Sequence, residues 1–78
     1  MTPTDPTLLD RKARCWVAAS LDDEAKRART MAARALRRGQ RLGNSGDAKY
    51  AEACRVAATA YSEVAESYAL KAQALRKP

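Results

Sequence analysis

The chain has no histidine, no phenylalanine and no isoleucine. Without histidine, the commonest general base near neutral pH and the commonest metal ligand are both missing. Its two cysteines, Cys15 and Cys54, therefore have no imidazole to activate them, and a cysteine nucleophile of the usual kind is unsupported. Glu63 and Glu66 lie one helical turn apart, but two carboxylates without histidine or further acids do not make the bridged metal site of a helix bundle. Three glycines and no strand-like segment leave no phosphate loop between a strand and a helix. The expectation is a non-enzymatic chain with empty catalytic, cofactor and metal sets.

No run of 18 apolar residues occurs, which excludes a helical membrane span, and no membrane partner is expected. Met1 to Thr7 are polar and proline-rich, with neither the basic nor the apolar region of a signal peptide. A soluble, cytoplasmic protein is expected. Its cysteines are expected to be reduced packing residues, with a disulfide within or between chains as the alternative.

Alanine is abundant, and it is ordered. It supplies 18 of 36 apolar residues; seven Leu, three Val, two Met, three Tyr and one Trp make up the bulky remainder. Ala18, Ala25, Ala32 and Gly39 recur at seven-residue spacing, and so do Ala51, Ala58, Ala65 and Ala72. Small side chains every two turns let two helix backbones approach closely. An alanine methyl buries little area, so the seam yields much less than a leucine core and help from a second copy or a partner is expected.

The spacing predicts an all-α fold, a three-helix bundle with an extended tail over 1–6. A short amphipathic helix over 7–19 has Leu9, Ala13, Trp16 and Val17 on one face, with Trp16 in the core. Ser20 followed by Asp23 and Glu24 reads as a capping box, placing a break near Ser20 and a second helix over 20–42; one continuous helix from 7 to about 42 is the alternative. The glycines of a turn at 43–46 end it, and Ser45 or Asp47 caps a third helix over 47–76, antiparallel to the second.

Helix three carries two apolar stripes. One is Ala51, Cys54, Ala58, Tyr61, Ala65, Tyr68, Ala72 and Leu75, widened by Tyr50, Ala57 and Val64; the other is Ala53, Val56, Ala60, Glu63, Ser67, Leu70 and Ala74. A helix apolar on opposite faces is covered on both. Helix two takes one, and the short first helix or another chain must take the other. Val56, Ala60, Glu63, Leu70 and Tyr50 are the expected contacts for a protein partner, and a homodimer is expected.

The net charge of +6 is uneven. Lys26, Arg27, Arg29, Arg34, Arg37, Arg38 and Arg41 follow one another with no acid between them. Arg27, Arg34 and Arg41 share one seven-residue position and, with Arg37 and Arg38, form a positive ridge away from the seam. That ridge would bind an acidic protein surface or, as the alternative function, nucleic-acid phosphates. Helix-dipole pairing accounts for the same order, acids first and bases last. The favoured expectation is a small helical adaptor or inhibitor.

From Gly46 to Ala60 the chain resembles the second helix of a tetratricopeptide repeat, with Tyr50, Glu52, Ala53 and Ala60 at the usual offsets. Gly39 and Leu42 fall near first-helix positions. The resemblance covers about 30 residues and implies peptide or protein binding. The chain departs from the pattern in its longer turn, a helix about twice a repeat's length, and the lack of any internal repeat, so no binding residues are carried over.

Overall fold

After Pro6 no proline interrupts the chain until Pro78, and the first glycine is Gly39. Between them lie mostly Ala, Arg, Leu and Lys, which cost least in a helix. The computed structural model describes residues 6–77 and contains two helices, α1 (Pro6–Asn44) and α2 (Ala48–Arg76). Pro6 opens α1, where a missing N–H breaks no intrahelical bond. Of the tail expected over residues 1–6, residues 1–5 lie outside the described residues and Pro6 belongs to α1 instead; the side chain of Leu9 is also outside them.

The three-helix arrangement is not what forms. α1 is continuous through Ser20, 39 residues long against 29 for α2. A break would leave backbone groups unpaired at two new helix ends, and nothing at 19–21 forces it. Of the two acids that read as a capping box, Glu24 is engaged elsewhere, and so is the neighbouring Asp22. Glu24 accepts a 3.1 Å hydrogen bond from Arg27 one turn along α1, and Asp22 pairs with Arg76 of α2 at 2.6 Å. Trp16, expected in the core, is 82% exposed, and Val17 and Ala13 are exposed too. With no separate first helix to fold back, no third element among the described residues covers them.

The turn is a Schellman motif. Gly46 adopts φ +85°, a left-handed conformation that suits glycine, and its N–H donates to the Gly43 carbonyl at 3.2 Å. The Asp47 N–H donates to the Leu42 carbonyl at 2.9 Å, so the last carbonyls of α1 are satisfied by the residues that reverse the chain. Gly43 stays inside α1, and Gly46 stops it. Asp47 occupies the N-cap position of α2 but makes no side-chain cap hydrogen bond. The Ser45 hydroxyl donates backward to the Arg41 and Leu42 carbonyls. Neither residue caps α2 in the way expected.

The alanine seam is as the spacing indicates. Ala18, Ala25, Ala28, Ala32, Ala51, Ala58, Ala65 and Ala72 are buried, and so is Gly39. A Cβ placed on Gly39 would stand 3.1 Å from the Cys54 Cβ and 3.3 Å from the Ala51 carbonyl oxygen, so the backbones nearly touch there. Stepping seven residues along both helices from that contact sets Ala32 level with Ala58, Ala25 with Ala65, and Ala18 with Ala72. Beside this layer run Leu42, Ala35, Ala28 and Leu21 of α1 and Cys54, Tyr61, Tyr68 and Leu75 of α2.

The result is a two-helix rod of 69 × 18 × 11 Å with a radius of gyration of 18.8 Å. A compact chain of this length has about 12 Å. Its accessible surface is 6339 Å², against about 4,700 Å² for a compact monomer of the same mass. No large side chain is fully buried among the described residues.

Two glycine substitutions separate crowding from helix propensity. Gly39→Leu forces the helices apart and costs about 1–3 kcal/mol. Gly43→Ala, whose new Cβ meets only the Ala51 Cβ at 3.8 Å, gains roughly 0.5–1 kcal/mol of helix propensity. Urea unfolding followed by circular dichroism reads both.

Candidate functional site

A two-helix rod presents its side chains on the two broad faces of the pair and on the outer surface of each helix. Seven-residue positions decide which surface a residue joins. Val56, Glu63 and Leu70 share one position on the outer surface of α2, with Ala60 beside them; Val56 is 62% and Leu70 58% exposed, and the other two are exposed as well. The second apolar stripe of α2 is thus uncovered along its whole length.

Tyr50, 64% exposed, does not join that stripe. It belongs with Ala57 and Val64 on one broad face, where an open groove runs between the helices. Met31, Leu42, Tyr50, Cys54, Ala57 and Tyr61 line it, with Arg34 and Arg38 at its α1 edge. Tyr61 and Val64, expected on the seam stripe, are exposed on this face, and so are Val17 and Met31, which the expected partner surface does not include. Their signal was the seven-residue series Val17, Glu24, Met31, Arg38 on α1, which the continuous helix places beside Tyr50, Ala57, Val64 and Lys71 on α2. The opposite broad face is more polar, holding Asp22, Leu36, Arg55 and Arg76.

The basic ridge is exposed throughout. Arg34, Arg37, Arg38 and Arg41 surround a shallow hollow with Gln40 and Asn44 near the turn. Arg27 is held by Glu24, whereas no ion pair engages the other four among the described residues. Four guanidinium groups within two helical turns make a local positive field that an acidic surface or a phosphate backbone would complement. Trp16 sits apart from them, over Lys12, Cys15 and Ala19 near the other end of the rod. Cys15 and Cys54 are both free thiols; Cys15 is exposed and Cys54 half-buried in the groove floor.

The remaining ion pairs lie within single helices, Asp10 with Arg14 and Glu52 with Arg55. Among the described residues no three metal-ligating side chains converge, and no helix is long and apolar enough to cross a membrane. The Asp22 carboxylate accepts a hydrogen bond from Arg76 and holds that guanidinium above its ordinary pKa. Because the folded value is raised, this contribution to stability is present below the unfolded pKa and lost only as pH rises through the strongly alkaline range.

Comparison of the chain with protein-family models, with curated proteins and with solved structures gives no match in any of the three. The tetratricopeptide resemblance accordingly gains no support.

Asp22–Arg76 joins the two helices toward the end away from the turn, with both side chains partly open to solvent. Asp22→Asn therefore lowers the thermal midpoint slightly at low ionic strength. The difference disappears in 1 M salt, where the screening length is about 3 Å. Melting curves at the two salt concentrations check it.

Proposed function

We propose that the chain is a small non-catalytic adaptor or inhibitor, a cytoplasmic helical hairpin that binds another protein and self-associates. The observation that carries this reading is the inversion of the usual burial pattern. Among the described residues only alanine and glycine are buried, while Val56, Leu70, Tyr50 and Met31 stand in solvent. Exposed apolar surface of this extent marks a binding surface in a soluble chain. Val56, Ala60, Glu63 and Leu70 form one continuous strip on α2, the type of surface that docks against a partner helix or groove. Glu63 interrupts the strip and would meet a partner's basic group, while the Arg34 to Arg41 cluster would engage an acidic surface and set orientation.

A second reading is favoured by the same cluster. Arg34, Arg37, Arg38 and Arg41 pair with no acid among the described residues and lie along one side of a rod, an arrangement suited to neutralising consecutive phosphates of a nucleic acid. The readings diverge in salt dependence. Phosphate binding falls steeply with salt, and its logarithmic slope loses about one unit for each contacting arginine neutralised; apolar docking is far less sensitive.

Size-exclusion chromatography with light scattering at low salt, recorded with the 260 to 280 nm absorbance ratio, tests the proposal. The expected result is a species of twice 8.5 kDa without nucleic acid. A monomer carrying salt-removable nucleic acid would transfer the function to the arginine ridge. Val56→Asp and Leu70→Asp are expected to abolish partner capture or assembly while circular dichroism still reports a helical hairpin. Variants that keep both contradict the assignment of the α2 strip.

A further inference from the structure

We infer that the hairpin dimerises through its grooved broad face, with two copies packed antiparallel about a two-fold axis passing beside Met31. This deepens the self-association proposed above and rests on that reading. It also leaves the outer strip of α2 free for a different partner.

Three observations support it. First, extent: the paired length of α2 is about 43 Å at 1.5 Å per residue, and the rod is 18 Å wide. That footprint is roughly 800 Å² per copy, the size of a standard stable interface. Second, composition: Val17, Met31, Tyr50, Tyr61 and Val64 all project from this face, and all are at least one-third exposed. Face-to-face packing would bury them over the existing alanine layer and produce a four-helix bundle.

Third, charge sets the direction. Glu24 and Arg38 stand seven residues on either side of Met31, at equivalent positions on the same face. An antiparallel pairing of the two α1 helices about Met31 brings Glu24 of each copy opposite Arg38 of the other, forming two symmetric ion pairs. The other two-fold arrangement, with both turns at one end, would crowd Arg34, Arg37, Arg38 and Arg41 of the two copies together. Like charges so placed repel.

The test uses the full chain with Cys15→Ser and Cys54→Ser as background. Met31→Cys, treated with a short bismaleimide, is expected to give a covalent dimer in high yield; Val56→Cys, on the outer strip, is expected to give little. Glu24→Arg should shift the light-scattering mass from dimer to monomer. Adding Arg38→Glu should restore the dimer, because the swapped charges again face each other. Circular dichroism confirms that each variant is helical. A dimer that cross-links through Val56→Cys instead of Met31→Cys overturns the face while leaving self-association intact. Cross-linking at Met31→Cys without rescue by the charge swap overturns the antiparallel register. A chain that is monomeric at all concentrations overturns both this inference and the self-association on which it rests.

Discussion

The rest of the structure depends on the close approach of two helix backbones along a line of alanine and glycine. At Gly39 there is no room for a methyl group without movement of Cys54 or of the Ala51 carbonyl. Every seventh residue on either side repeats the requirement less severely, and alanine meets it each time. Close approach gives good van der Waals contact between backbones. It also removes the space in which large side chains would be buried. A buried alanine methyl contributes about 0.8 kcal/mol, against about 1.5–3 for a leucine, so the seam orders the hairpin without giving it a substantial core.

The larger apolar residues are consequently displaced outward, and their distribution is not random. One set flanks the seam on a single broad face; another occupies the outer surface of α2. The opposite broad face carries Asp22, Arg55 and Arg76, and one ion pair across it ties the open end of the rod. The basic residues of α1 gather toward the turn, where the C-terminal end of the helix dipole favours them. The grooved face therefore has an acidic end at Glu24 and a basic end at Arg38, a polarity that a second copy turned end for end would match.

Much of this was legible because it rests on spacing. The alanine series at 18, 25, 32 and 51, 58, 65, 72 identified the buried line residue by residue, and the glycines at 43–46 marked the reversal. What misled was local. Ser20, Asp23 and Glu24 have the composition of a capping box, but nothing in sequence records that Asp22 and Glu24 find partners on α2 and α1 in an uninterrupted helix. A break near Ser20 would put Trp16 in a separate helix and in a core; in the continuous α1 its position points away from α2. A break would also separate Val17 from Glu24, Met31 and Arg38, a series that only the continuous helix joins. Tyr50, expected at the edge of the seam stripe and among the partner contacts, shares its seven-residue position with Ala57 and Val64 and not with Val56 and Leu70.

If the alanine seam alone is too thin to hold the fold and the exposed apolar faces complete it by association, folding and assembly are one equilibrium. Thermal unfolding by far-ultraviolet circular dichroism across a hundredfold range of protein concentration tests this most directly. A midpoint that climbs steadily with concentration is the expected result, because mass action then stabilises the associated form. A sharp, cooperative transition at the same temperature throughout would show that the seam suffices for a stable monomer, and would contradict the account.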